Sequence, residues 1–167
     1  MCGITALLGV ECVELLINSL KELQNRGYDS AGISTIKNNT FYINKFASTI
    51  NNTALKLLED NIETNRNSIN GIAHTRWATH GGKTDINSHP HVSMCGKFSI
   101  VHNGIIENYE CLKNILLMEG YTFKSKTDTE IIVNLLSHTY KQSNMSINED
   151  IQLTIEQLEG TWGIVIQ

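Results

Sequence analysis

The order of the apolar segments constrains the fold of this chain most. Strand-like segments come in pairs, and segments with helical spacing of apolar residues lie between and after the pairs. The pairs are "AGISTI" with "TFYINKF" and "GIAHTRW" with "KFSIVHNG". A doubly wound parallel sheet would need strands and helices that alternate one by one. The sequence therefore predicts an α+β fold.

Capping signals and glycines indicate where helices begin and end. Gly27 is expected to end the first helix, and Gly160 is expected to end a helix over residues 147–159. Two S/T-x-x-E patterns are typical of capping boxes at helix starts. They are Thr127 with Glu130 and Ser146 with Glu149.

Composition narrows the class of protein. The chain has 167 residues, which suits one domain with its own core. Its 13 basic and 17 acidic residues give a net charge of −4, which argues against nucleic acid as a partner. No apolar run approaches the ~20 residues of a membrane span, and no secretory signal is visible. We therefore expect a cytoplasmic protein with no membrane partner.

The cysteines and histidines do not form a recognisable metal motif. No two cysteines are spaced like a zinc knuckle or a redox pair, and a cytosolic setting favours free thiols. Three histidines share one loop region, but no helical H-x-x-x-H accompanies them, so we predict no metal site. The residues concerned are Cys2, Cys12, Cys95 and Cys111, and His80, His89 and His91. His74 and His102 are read as ordinary packed or surface histidines.

Cys2 directly follows the initiator methionine. Loss of Met1 would place a thiol and a free amine on the same terminal residue. The thiolate is the nucleophilic form of cysteine, and an α-amine with a pKa near 8 could take the thiol proton. The alternative is a small, buried strand residue, which is a common role of free cysteine.

Polar residues concentrate at strand ends, where sites usually lie. The side chain of Asn103 and the backbone N–H of Gly104 could donate to a tetrahedral oxyanion, although Asn-Gly is also a common turn. Arg76 could bind a substrate carboxylate or form a structural ion pair. Asp128 could bind an ammonium group or serve the start of its helix. Trp77 could line a pocket, but its spacing alone favours the core.

Together these motifs resemble a known family. "MCGI", "RGYDSAG", "GIAHTRWATHG", "NSHPH", "VHNGIIENY" and "TDTE" occur in the order and at the spacing of the glutaminase domain of glutamine–fructose-6-phosphate aminotransferase (isomerizing), or glucosamine-6-phosphate synthase. Amidophosphoribosyltransferase and asparagine synthetase share the Cys2 start. "RGYDSAG" and "HTRWATHG" resemble the hexosamine enzyme instead. The resemblance covers essentially the whole chain.

The resemblance implies the chemistry of an N-terminal-nucleophile hydrolase and a role for each matched residue. Cys2 would attack the amide carbon of glutamine with its own α-amine as base, and Asn103 and Gly104 would form the oxyanion hole. Arg76, with Thr79 and His80, would bind the substrate carboxylate. Asp128 would bind the α-ammonium. Trp77, Arg26 and Tyr28 would close over the site, and no metal or organic cofactor is implied.

The implied activity is glutamine hydrolysis to glutamate and ammonia. It would be the amide-donor half of glucosamine-6-phosphate synthesis from fructose 6-phosphate, on the way to UDP-N-acetylglucosamine. L-Glutamine would be the substrate.

The resemblance also implies a fold and a missing part. The family domain is a four-layer αββα sandwich, and residues 1–167 would be that domain without its last strands and without the sugar-isomerase lobes. We therefore expect an apolar edge after "GIVIQ", which predicts poor solubility, self-association or a missing partner segment. A separate chain could supply the rest of the domain and the isomerase lobes. The alternative is a truncated, non-catalytic remnant that binds glutamine or a partner chain without turnover.

Overall fold

The computed structural model describes residues 2–77 and 82–167, and only the backbone of Arg26. The described strands are β1 (Gly3–Leu8), β2 (Ser30–Lys37), β3 (Thr40–Ala47), β4 (Asn70–Arg76), β5 (His91–Val92), β6 (Ser99–Ile106) and β7 (Gly160–Ile166). The described α-helices are α1 (Val13–Leu23), α2 (Ala54–Glu59), α3 (Tyr109–Met118), α4 (Asp128–Gln142) and α5 (Ile147–Ile155). Short 3₁₀ turns lie at Gln24–Arg26, Ile62–Asn65 and Asp85–Asn87. No helix in the described part of the chain is long and apolar enough to cross a membrane.

The first sheet has the strand order β1-β4-β2-β3, and each neighbouring pair is antiparallel. Helices α1 and α2 cover one of its faces. The buried side of α1 carries Leu16 and Leu20, which pack with Ile33 of β2 and Ala73 of β4. The apolar residues of α1 follow helical spacing, and the strand residues that they contact occupy alternate positions. Both patterns are visible in the sequence.

The second sheet has the order β5-β6-β7, also antiparallel, and α3, α4 and α5 cover it. Ile100 and Ile106 of β6 point into this second core and are fully buried. The intervening residues Val101 and Asn103 point to the opposite face, towards the first sheet, because side chains alternate along a strand.

The two sheets meet through their inner faces. Ser34 of β2 and Ser99 of β6 are hydrogen-bonded across this layer at 2.9 Å, and both are fully buried. The layers therefore run helices, sheet, sheet, helices, and the predicted α+β, four-layer αββα arrangement is confirmed.

Gly27 and Gly160 do not end helices as the sequence predicts. Helix α1 ends at Leu23 and a 3₁₀ turn follows, so Gly27 does not end the helix, and its φ of −171° is ordinary extended backbone. A Cβ on Gly27 would lie 2.8 Å from the carbonyl carbon of Arg76, so close backbone packing requires the glycine. Helix α5 ends at Ile155, before the predicted residue 159, and Gly160 opens β7 with a φ of +123°.

One predicted capping box forms and the other does not. The hydroxyl of Ser146 and the carboxylate of Glu149 cap α5 reciprocally, as predicted. The box at Thr127 is wrong, because Thr127 makes no side-chain cap hydrogen bond. The carboxylate of Glu130 instead accepts from the backbone N–H groups of Lys124 and Ser125 and from the Ser125 hydroxyl. Glu130 thus holds the turn that precedes α4.

The packing of the sheets makes Gly32 indispensable. A Cβ at this position would lie 2.0 Å from the carbonyl oxygen of His89 and 2.7 Å from Cβ of Lys45. We expect Gly32→Ala to lower the free energy of unfolding by about 1–3 kcal/mol, because a filled core resists added atoms. Urea unfolding would measure this. Gly163→Ala, where a Cβ meets nothing within 4 Å, is the control. Equal stability of the two variants would contradict the packing argument.

Candidate active site

The start of β1 places Cys2 beside the end of β4. Gly3 pairs with Thr75, so Cys2 comes next to Arg76 and Trp77. The backbone N–H of Trp77 lies 3.3 Å from Sγ of Cys2, close enough to donate to it. The sulfur is also 3.6 Å from the carbonyl oxygen of Trp77, and Cys2 is half-buried. The thiol is thus held at the end of the sheet without being enclosed in the core.

Strand β6 of the second sheet supplies Asn103 and Gly104. The Asn103 amide nitrogen donates to the backbone carbonyl of Cys2 at 3.2 Å, so the carboxamide spans the gap between the sheets. Gly104 has a φ of +134°, and a Cβ there would lie 2.2 Å from the carbonyl oxygen of Thr161. Only glycine fits this position. The predicted Asn-Gly pair lies within strand β6 and does not form a turn.

Asp128 is the first residue of α4 and is buried. Its Oδ2 accepts from the backbone N–H of Ile106 at 3.1 Å, and its Oδ1 lies 3.8 Å from Nδ1 of His102. The carboxylate therefore connects the N-terminus of α4 to β6.

A narrow cleft with a cavity volume of about 30 Å³ brings Cys2, Gly104 and Asp128 together. Its lining residues come from distant parts of the chain: Cys2, Arg76, Trp77, His89, His102, Gly104, Thr127 and Asp128. A larger surface cavity lies between α3, α4 and α5, but the described residues that line it include no cysteine, arginine or aspartate. The cleft places a thiol, a cation and a carboxylate within one small volume.

Arg76 is the cation of the cleft. It is buried, and burial lowers the pKa of its guanidinium, while Cys2, Asp128 and Asp29 act in the opposite direction. An arginine remains charged at neutral pH. The cleft therefore presents a buried positive charge and a buried carboxylate, which suits a zwitterionic ligand.

The remaining predicted site residues lie at the mouth or outside the described residues. The rings of Tyr28 and Trp77 meet edge to face with centroids 5.3 Å apart. Trp77 is 44% exposed, so the core interpretation of Trp77 is wrong. Arg26 lies in the 3₁₀ turn before Gly27, and its side chain is not described. Thr79 and His80 lie outside the described residues.

A cluster of buried histidines adjoins the cleft, which His89 and His102 line, and sequence reasoning missed it. Ring centroids of His89 lie 4.2 Å from His74, 5.1 Å from His91 and 6.5 Å from His102. The Thr129 hydroxyl lies 3.0 Å from both Nε2 of His89 and Nδ1 of His102. The sequence did contain a signal. His74 stands two residues before Arg76 in a strand-like segment, so both side chains are expected on the same face of the sheet.

Burial keeps these histidines neutral. It lowers the pKa of His74 to about 4 and those of His89 and His91 well below the usual value. Burial also lowers the pKa of His102, although Asp128 acts in the opposite direction. Among residues 2–77 and 82–167, no three histidine, cysteine or acidic side chains are arranged to hold a metal ion.

Lys45 holds the loop that carries two of these histidines. Its ammonium donates to the carbonyl oxygens of Ser88 at 2.6 Å and Pro90 at 3.0 Å. Burial lowers the pKa of Lys45 to about 8. The histidine loop is therefore tied to β3.

Comparison with known proteins agrees with this geometry. The family described as "Glutamine amidotransferase domain" matches residues 74–167. The glutamine–fructose-6-phosphate aminotransferase (isomerizing) of Caldanaerobacter subterraneus subsp. tengcongensis is 42% identical over 165 residues, which are 98% of this chain and 26% of that protein. The enzyme of the same name from Aliivibrio fischeri is 43% identical over 170 residues, which are 99% of this chain and 26% of that protein. The chain thus spans about a quarter of the length of these relatives.

Solved structures show the same fold. A glutamine phosphoribosylpyrophosphate amidotransferase from B. subtilis, complexed with ADP and GMP, superposes with a TM-score of 0.80 over all of this chain and 35% of its own, at 22% identity. A structure described as the allosteric regulatory enzyme of purine biosynthesis gives 0.79 over all of this chain and 35% of its own, at 24% identity. The fold is that of the N-terminal-nucleophile hydrolases. The chain belongs to the glutamine amidotransferase domain family, as its motifs predicted.

The buried histidines predict acid sensitivity. Between pH 6.5 and 4 the unfolded chain binds protons at His74 that the folded chain does not, because the folded pKa is about 4 and the unfolded one about 6.5. Stability from this group is therefore complete above pH 6.5 and decreases as the pH falls. At pH 5 the loss is about 2 kcal/mol for this histidine.

Urea unfolding at pH 7 and pH 5 measures this effect. We expect His74→Gln to remove about 2 kcal/mol of the pH dependence. An unchanged dependence in His74→Gln would show that His74 is not held neutral.

Proposed function

We propose that this chain hydrolyses the side-chain amide of glutamine, with Cys2 as the nucleophile. The observation that carries the proposal is that Cys2, Arg76, Gly104 and Asp128 line the same narrow cleft. Each of these residues corresponds to a chemical group of glutamine or to a step of its hydrolysis.

Glutamine is a zwitterion at one end and an amide at the other. Its α-carboxylate pairs with the Arg76 guanidinium, and its α-ammonium pairs with the Asp128 carboxylate, so both charges are compensated away from water. Thr79 and His80 complete the carboxylate subsite in this proposal. The amide group then extends towards Cys2.

Cys2 acts after removal of Met1. The free α-amine takes the thiol proton, and the sulfur attacks the amide carbon of glutamine. The Trp77 N–H, 3.3 Å from Sγ, donates to the sulfur and helps to orient it. The α-ammonium returns the proton to the leaving nitrogen, ammonia departs, and a thioester remains. Water then attacks the thioester and releases glutamate, and the thiol is restored.

The oxyanion hole uses Asn103 and Gly104. One hydrogen of the Asn103 amide already binds the carbonyl oxygen of Cys2, and a second hydrogen remains on the same nitrogen. That second hydrogen and the Gly104 N–H donate to the oxyanion as it forms. Groups held in place beforehand need little reorganisation during the reaction.

Trp77 and Tyr28 cover the mouth in this proposal, together with Arg26. Their rings contact each other above the cleft residues and remain exposed. Binding of glutamine would bury both rings further. The covered site would then exclude water from the thioester until ammonia has left.

The wider role is the amide-donor half of glucosamine-6-phosphate synthesis. The curated relatives are named glutamine–fructose-6-phosphate aminotransferases, and the match with them covers nearly the whole chain. Residues 1–167 would supply ammonia. The part that binds fructose 6-phosphate would be supplied by further polypeptide.

The nucleophile is tested with Cys2→Ala. Glutamate release from glutamine should fall at least about 10⁴-fold, because no group replaces the sulfur. Glutamine binding should persist, since Arg76 and Asp128 are unchanged. Isothermal titration and an enzymatic glutamate assay measure the two effects, with Cys111→Ala as the exposed-cysteine control.

Two results would reject this assignment. One is retention of Met1 in the active protein, shown by intact mass. The other is an unchanged rate in Cys2→Ala. A processed chain that binds glutamine but releases no glutamate would be the non-catalytic relative.

The role of Asp128 is tested with Asp128→Asn. We expect kcat/KM for glutamine to fall about 10–150-fold, because a hydrogen bond to a charged group contributes about 1.5–3 kcal/mol. Glu110→Gln is the control, since Glu110 is also acidic and in the first turn of its helix, but exposed. A stability loss with unchanged kcat/KM would show that Asp128 serves only the helix start.

A further inference from the structure

The carboxamide of Asn103 is held at both ends. Its nitrogen donates to the carbonyl oxygen of Cys2 at 3.2 Å, and its oxygen lies 2.8 Å from Nε2 of His74. These two contacts join β6 of the second sheet to β1 and β4 of the first.

The hydrogen-bond chemistry assigns every proton in this chain of contacts. The carbonyl oxygen of Cys2 only accepts, so the Asn103 nitrogen faces it and the Asn103 oxygen faces His74. An amide oxygen also only accepts, so Nε2 of His74 must carry a hydrogen. Burial lowers the pKa of His74 to about 4, against the opposing effects of Asn103 and the backbone of His102. The ring is therefore neutral at pH 7, with Nδ1 unprotonated.

We propose that His74 is a positioning residue for glutamine hydrolysis, because its Nε2–H fixes the Asn103 carboxamide with the nitrogen facing Cys2. This inference rests on the proposed function. Without the donor, the carboxamide can rotate by half a turn and place its oxygen beside the Cys2 carbonyl. That orientation would repel a developing oxyanion.

His74 acts through Asn103 and not on the substrate. It is 1% exposed, and it is not among the residues that line the cleft. Its ring packs against the His89 ring at 4.2 Å, and the Thr129 hydroxyl holds the His89 ring. This packing fixes the plane of the imidazole, and a neutral donor avoids the cost of a buried charge.

Kinetics of four variants test the proposal. His74→Phe keeps an aromatic ring but removes the donor, and we expect kcat for glutamate release to fall about 10–100-fold with KM within about threefold. His74→Gln offers an amide nitrogen near the position of Nε2, and we expect it to retain most of kcat. Asn103→Ala and the double variant Asn103→Ala/His74→Phe should have the same kcat, because His74 has nothing left to position.

Two kinetic results would overturn the proposal. One is an equal loss in His74→Gln and His74→Phe. The other is a further fall in the double variant below Asn103→Ala. Far-ultraviolet circular dichroism and urea unfolding of each variant identify losses due to unfolding.

A measurement that needs no activity separates this inference from the proposed function. In ¹⁵N-labelled protein at pH 7, His74 should show a slowly exchanging Nε2–H and an unprotonated Nδ1. Asn103→Ala should change the Nε2–H resonance and speed its exchange. The opposite tautomer, or no response to Asn103→Ala, would overturn the positioning of Asn103. Absence of glutaminase activity with the expected tautomer would reject the proposed function alone.

Discussion

Polar side chains bridge the layer between the two sheets, and the site depends on how these groups are paired. A buried polar group without a partner costs free energy, so each such group limits where its neighbours can lie. Ser34 and Ser99 pair across the layer, and Asn103 joins Cys2 to His74. An apolar layer would tolerate small sliding movements of the sheets. Directional hydrogen bonds do not, so Cys2 and Asn103 keep a defined separation.

Charge is distributed unevenly across this layer. Arg76 is a cation in the cleft, while the histidines around it are neutral because burial disfavours their protonated forms. A protonated histidine there would place a second positive charge in this buried layer. The neutral cluster therefore adds no positive charge next to the Arg76 guanidinium.

Much of the fold and of the candidate site follows from sequence patterns. The β2–β3 hairpin, the amphipathic face of α1 and the Ser146 capping box are local, and local spacing predicts them well. The strands β4 and β6 also follow each other in the sequence, but they lie in different sheets. Of the residues to which the motif resemblance assigned a role, Cys2, Arg76, Trp77, Gly104 and Asp128 line one cleft. His89, His102 and Thr127 also line it, and the resemblance assigned them no role. The sequence predictions were wrong where a contact with another part of the chain replaces the local contact that the pattern predicts. Glu130 binds the turn before α4 instead of capping Thr127, and Gly27 is required by the nearby backbone of Arg76.

The sequence by itself determined the class of fold, the family and the kinds of polar side chain that stand at each strand end. Only the tertiary structure decided that His74 faces Asn103, that Trp77 stays exposed, and that Gly104 lies in a strand where no side chain fits. The physical reason is distance along the chain. Spacing reports on neighbours within a helix or strand, whereas Cys2, His74, Asn103 and Asp128 meet only when two sheets and a helix pack together.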